Sequence, residues 1–256
     1  MITLIRRLAS VLMVVAATSH AQVVESPTTV SRGEWLVEAD VVAGTWDSGR
    51  PNGIKLSTWE VVTAPVLVST GVAENIDVQL GFDGWVHAEA QAQGQQERVS
   101  GWGDAWLRAK WNFFGNEETG PAWALLPYVK FPVADDRIGN GKFEGGVALI
   151  FGQPLDEDDW IQAFVSGDTL HSEIGGRDEQ LVAGIVWGRN LSADTTVYTE
   201  ILTEWLSAET DSLPVVWGTG ISPVIADGFA LDFEILVGIT DEAPDRGAAV
   251  RLVWEF

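Results

Sequence analysis

From residue 34 to the end of the chain, apolar and polar residues alternate in short runs. In the clearest run, Phe229, Leu231, Phe233, Ile235, Val237 and Ile239 hold the odd positions, while Asp232, Glu234, Gly238 and Thr240 hold even ones. A period of two belongs to an extended strand whose two faces meet different surroundings. The same parity sets Trp35, Val37, Ala39 and Val41 against Glu34, Glu38 and Asp40. It also sets Ala105, Leu107, Ala109, Trp111 and Phe113 against Asp104, Trp106, Arg108, Lys110 and Asn112. The last ten residues place Ala248, Val250, Leu252, Trp254 and Phe256 on one face and Arg251 and Glu255 on the other. Further segments at 57–69, 75–87, 121–132, 142–153, 159–170, 179–190, 195–206 and 213–224 bring the predicted total to about twelve strands, an even number as a single-chain barrel requires. No stretch after Ala21 is apolar enough to cross a bilayer as a helix, which takes about 20 residues.

The connections between these segments sort into two kinds. Gly71–Asn75, Pro154–Asp158, Asn190–Asp194 and Ala226–Gly228 are tight polar turns. The links at Trp46–Lys55, Glu89–Ser100, Ala134–Gly141, Ser172–Asp178, Ala208–Ser212 and Asp241–Arg246 are longer or more charged. Short turns on one side and long loops on the other predict an all-β, transmembrane, antiparallel up-and-down β-barrel spanning 34–256. In such a barrel the apolar parity faces lipid, whereas in a soluble sandwich it would face the core.

Both chain ends fit export. Arg6 and Arg7 precede the apolar run Leu8–Thr18, and Ser19-His20-Ala21 offers small residues to a signal peptidase, which predicts a signal peptide over 1–21. Residues 22–33 are then an N-terminal periplasmic segment. The context of the Arg pair favours the general secretory route over the twin-arginine one, and the chain has no Cys for a lipid anchor, a disulfide or thiol chemistry. The terminal aromatic strand ending in Phe256 resembles the signal by which the outer-membrane assembly machinery takes up barrels. The expected location is therefore the bacterial outer membrane, with its lipid bilayer as one partner.

Composition narrows the field. The 13 Trp and 10 Phe against 2 Tyr suit aromatic girdles at two membrane interfaces. The net charge is −22, and removing residues 1–21 takes away two Arg and no acid, leaving −24. Such a surface repels nucleic acid and anionic lipid.

The middle of the chain carries a family resemblance. Ser100-Gly-Trp-Gly-Asp104, Arg108-Ala-Lys110, Leu126-Pro-Tyr-Val-Lys-Phe-Pro132, Gly139-Asn-Gly141 and Gly145-Gly146 resemble the family named for the MetA pathway of phenol degradation. The family pattern is a Gly-x-Gly-Asp turn entering a strand with Lys, a strand ending in Lys-x-Pro, and a Gly-rich outer loop. The sharp motifs lie within 100–155, and looser likeness runs from Pro65 to Phe256. The resemblance implies an outer-membrane barrel that transports small organic molecules. The strong acidity and the Trp within the glycine motif depart from the pattern, and they argue against an anionic aromatic solute.

Candidate chemistry lies on the polar parity. Asp104, Arg108, Lys110, Lys130 and Glu144 fall on three successive strands and predict a charged ladder on one wall of a pore. Glu200, Glu204, Asp232, Glu234 and Arg251, together with Glu34, Glu38, Asp40 and Glu255, line the remainder. An excess of acids favours neutral or cationic solutes, aromatic ones included. The same groups can instead pair across strands and stabilise a filled barrel that only supports surface binding.

Enzymatic and metal readings have weaker support. His87 and His171 are the imidazoles left after processing, and His171 beside Ser172 and Glu173 is the least implausible hydrolase site. Adjacent strand residues point to opposite faces, so catalysis is not expected. The acidic turns 156–159 and 241–245 match no metal-loop spacing, and the glycines lack the strand-helix context of a phosphate loop. Neither a metal nor a cofactor is expected.

Overall fold

The computed structural model describes residues 24–49, 55–172, 175–208 and 212–256. The expected signal segment lies outside the described residues, as do parts of three expected outer loops, at 50–54, 173–174 and 209–211. Among the described residues there are fifteen strand segments and no helix. In chain order they are β1 (Trp35–Gly49), β2 (Leu56–Thr63), β3 (Val66–Ala73), β4 (Ile76–Phe82) and β5 (Trp85–Ala92). Then follow β6 (Gln95–Trp102), β7 (Ala105–Phe114), β8 (Ala122–Phe131), β9 (Glu144–Pro154) and β10 (Asp159–His171). The last are β11 (Arg177–Ser192), β12 (Thr195–Leu206), β13 (Val215–Ala226), β14 (Phe229–Gly238) and β15 (Arg246–Glu255).

Every pairing between these strands is antiparallel, and β15 returns to β1, from Leu36↔Glu255 to Trp46↔Arg246, so the sheet closes on itself. The barrel has twelve staves, because β2 with β3, β4 with β5, and β6 with β7 are each one long strand interrupted near its middle. The interruptions form a seam at one height. The N–H of Ala64 donates to Asp40 (3.0 Å), that of Asp83 to Asp104 (2.9 Å) and that of Gly103 to Gly84 (2.9 Å). Ala64 and Gly84 take positive φ there, 55° and 72°. Val41 forms a bulge beside the seam, so Val41 and Val42 both face outward and Ala43 turns in to meet Ala249.

Beyond the seam, β2, β5, β6 and the second half of β1 continue as a four-stranded extension on the side away from the chain ends. About ten residues suffice for a tilted membrane strand, and β8, β14 and β15 have 10 each. The extra length therefore projects past the bilayer, and its outer face is polar: His87 opposes Ser100, Glu89 opposes Arg98 and Gln91 opposes Gln96. Glu89–Ser100, expected as an outer loop, is thus a hairpin. Gln93 and Gly94 turn it with φ of 52° and 77°, the signature of a type I′ turn.

The exterior of the barrel is apolar. Leu107, Val147, Val165, Ile185, Ile201 and Phe233 all face outward. Aromatic pairs mark both rims. Trp111–Phe113, Trp123–Phe151 and Trp254–Phe256 lie at the end that carries the termini, with centroids 5.7, 4.8 and 4.3 Å apart. Trp85–Trp102 and Phe131–Phe143 lie at the other end, at 5.2 and 5.7 Å. An apolar belt between two aromatic rims is the exterior of a lipid-embedded barrel. Backbone bonds between Trp35 and Phe256 (2.8 and 3.0 Å) bring the start of the barrel to its end.

Candidate functional site

The interior is polar where the exterior is not. Asp40, Asp77, Gln79, Gln162, Ser166 and Asp168 are among its buried side chains. A cavity of about 1130 Å³ lies within it, and seven of the ten expected pore-lining residues border this space: Asp104, Arg108, Lys110, Lys130, Glu144, Asp232 and Arg251. Glu34 and Glu255 are exposed at the rim beside the termini.

The expected ladder divides into two clusters. Toward the outer end, Lys130 sits between Asp104 (2.9 Å) and Glu144 (2.6 Å), all three buried. This cluster also holds segment 132–143 over the mouth. Asp104 accepts the N–H of Ala134 (2.9 Å), and Glu144 accepts from Asn140 (2.6 Å) and from the N–H of His171 (2.7 Å). Within that segment, Ile138 packs inward on Val62 and Val86. Lower down, Arg108 and Lys110 project from β7 at alternate positions, and both ion-pair with Glu25, the Lys110 contact at 3.1 Å.

The remaining candidates lie on the far wall. Arg251 binds Asp40 (2.7 Å) and Glu38 (3.6 Å), and it stands opposite Asp232 in the β14–β15 register. Tyr198 donates to Asp232 (3.0 Å). Glu200 and Glu234 approach each other over Gly218, where a Cβ would lie 2.9 Å from both side chains. These two are packed into the wall and do not border the cavity, and Glu204 instead accepts from Gln180 (2.7 Å).

Residues 22–33 were expected as an N-terminal periplasmic segment. Of its described part, residues 24–32 enter the lumen at the end carrying the termini. Val24 is buried against Val186, Tyr198 and Leu202, with Trp160 and Phe164 beside them. The N–H of Val30 donates to Asp77 (3.1 Å), Lys110 donates to the Thr28 carbonyl (3.1 Å), and Ser26 and Thr28 donate to Glu117 (2.6 and 2.7 Å). Glu117 comes from the 115–121 turn. Two glycines make room. A Cβ at Gly71 would fall on the carbonyls of Val30 and Ser31, and one at Gly152 would strike Glu117 and Pro27.

Sequence reasoning missed Glu25, Glu117, Gln79 and the Tyr128–Asp168–Ser166 chain of hydrogen bonds. Gln79 was findable, because Asp77 and Gln79 alternate with Val78 and Leu80. Nothing in the sequence marks Glu25 as an interior residue. Among the described residues no group of three or more His, Cys, Asp or Glu is arranged to hold a metal ion.

A closed twelve-stave barrel with a lipid-facing exterior and a charged lumen defines an outer-membrane β-barrel protein. The comparisons place it further: residues 18–256 match the family described as MetA-pathway of phenol degradation, and the chain belongs to that family. An outer membrane channel from Pseudomonas putida F1 superposes with a TM-score of 0.67 at 13% identity, over 89% of this chain and 97% of that one. The transport unit of the autotransporter AIDA-I from Escherichia coli gives 0.57 at 12% identity, over 96% and 95% of the two chains. The NanC porin gives 0.53 at 9% identity, over 85% and 98%. These likenesses concern the fold. No curated protein matches the chain.

Proposed function

We propose that the chain is an outer-membrane channel that lets small solutes pass through its lumen, with no chemical step and no cofactor. The observation that carries this reading is the cavity of about 1130 Å³ inside a closed barrel, bordered by charged side chains from both halves of the wall. The similarity to a solved outer membrane channel adds support at the level of fold. Lys130 and Arg251 are each held between two wall carboxylates, so the acid excess remains, and the field favours neutral and cationic solutes. Delivery through the assembly machinery by way of Phe256 belongs to the same proposal.

A second reading, a closed barrel serving through its outer surface, draws on a specific observation. Segment 24–32 and segment 132–143 cover the lumen from its two ends. Single-channel recording of the mature chain in a planar bilayer separates the two. Conductance steps support passage, while a folded, inserted and silent barrel supports the closed reading.

A further inference from the structure

Six cations border the cavity; Arg98 and Arg137 are exposed, and the four that are not exposed, Lys130, Arg251, Arg108 and Lys110, are not equally provided for. Lys130 takes its carboxylates from the barrel wall, at Asp104 and Glu144, and so does Arg251, at Asp40 and Glu38. Arg108 and Lys110 take theirs from Glu25, which is not part of the wall. The wall adds one carboxylate to the pair: Asp77 stands opposite Lys110 in the β4–β7 register, accepting from Gln79 and from the N–H of Val30, and Arg108 donates to Gln79 (2.6 Å).

The residue before Glu25 fills a second feature of the same wall. Val24 is 1% exposed in an apolar pocket of Val186, Tyr198 and Leu202. The pocket is shaped for an occupant at Gly184, where a Cβ would stand 3.0 Å from Val24 and closer still to Leu202 and Phe164. An apolar pocket next to two cations at a cavity is a receptor for a molecule with an apolar body and one carboxylate.

We propose that Val24 and Glu25 are the resident occupants of a solute subsite in the lower lumen, and that a small monocarboxylate with a branched or ring-shaped apolar body takes their place. The inference rests on the channel reading, since the solute reaches the subsite through the cavity. With Glu25 seated and Asp77 opposite Lys110, two carboxylates match the two cations, and the acidic wall governs passage. With the segment displaced, the pair is left with Asp77 alone, and this stretch of the lumen carries one positive charge over. Occupant and solute compete, so the apparent affinity is the intrinsic one reduced to the fraction of molecules with the segment withdrawn.

The test is isothermal calorimetry of the mature chain in detergent micelles with 4-phenylbutyrate, and with 4-phenylbutyramide and 4-phenylbutylamine as neutral and cationic counterparts. Glu25→Gln is expected to bind 4-phenylbutyrate about tenfold more tightly than the unaltered chain, with no gain for the amide or the amine. Adding Lys110→Gln to that variant is expected to abolish the gain. Val24→Asn, which empties the apolar half and leaves the cations untouched, is expected to give a gain of the same sign, and it carries the test should Glu25→Gln not fold. Equal affinity in the variants and the unaltered chain overturns the proposal, as does an equal gain for the amide. Conductance is scored separately. A silent bilayer beside tightened binding defeats passage and leaves the subsite standing, whereas conduction with unchanged binding does the reverse.

Discussion

At Gly218 and Gly220 the inward face of β13 has no side chain, and its neighbours use the space. Tyr198 lies across Gly220 to reach Asp232, and a Cβ there would fall on the phenol ring. Gly220→Ala is therefore expected to destabilise the barrel by about 1–3 kcal/mol, the usual cost of overpacking a close-fitted site. The measurement is the urea midpoint of barrel unfolding in micelles. Gly167→Ala serves as the control, since the added methyl would meet one Leu181 carbon at 3.7 Å, and an equal loss in both variants would remove Tyr198 packing as the cause. A second residue acts chiefly through hydrogen bonds. Asp156, in the exposed turn between β9 and β10, accepts the N–H groups of Asp158 (2.9 Å) and Asp159 (2.8 Å). These backbone donors hold its pKa below the ordinary Asp value. A depressed pKa means that the turn's stabilisation is in force above the unfolded-state value and is lost as pH falls through the folded one. Carbon NMR of Asp156 is expected to show a titration midpoint below that of a free Asp, and a midpoint at the free value would argue that the turn is open.

Strands of this chain are sorted by what touches each face, and β14 shows it most simply. Phe233, Ile235 and Val237 face outward while Asp232 and Glu234 are buried within. Phe233→Arg would place a charge on the lipid face near the middle of the strand, at an expected cost of about 2–4 kcal/mol. Reversible unfolding of the variant in lipid vesicles measures this, and full stability would argue that Phe233 does not face lipid. The same two-sided constraint is why the staves could be read from alternation: lipid demands apolar side chains on one parity, and the lumen accepts polar ones on the other. Where that contrast weakens, so did the reading. In β5 the inward residues are Ala88, Ala90 and Ala92, small enough for the stretch to pass as loop composition, and both faces lie beyond the membrane. The seam through Ala64, Gly84 and Gly103 was invisible because a strand interrupted for two residues keeps its pattern on either side. The candidate residues were legible as inward-facing but not as partners, since pairing follows from shear and from glycines such as Gly218. Glu25 was out of reach, because a segment with no periodicity carries no record of what it fills.

At the scale of the molecule, charge and shape act together. The chain carries a net charge of −22, and its lumen repeats that bias in small: Lys130 faces Asp104 and Glu144, and Arg251 faces Glu38, Asp40 and, across β14, Asp232. Each of these two cations stands among more acids than it neutralises, so beside them the cavity field is expected to be negative, strengthened by the low dielectric of the surrounding wall. Reversal potential under a potassium chloride gradient reads this directly. At neutral pH a barrel of residues 22–256 is expected to prefer cations, and the preference is expected to fall as acid protonates the wall. Asp232→Asn removes one of these charges while keeping an oxygen for the Tyr198 hydroxyl, which leaves the packing at Gly220 intact. That variant is expected to show a smaller cation preference at unchanged single-channel conductance, within about twofold, since the pore width is set by the staves and not by one carboxylate. An unaltered reversal potential in a conducting Asp232→Asn barrel would take the β14 wall out of the selectivity mechanism and leave the Asp104–Lys130–Glu144 mouth as the place where solutes are sorted.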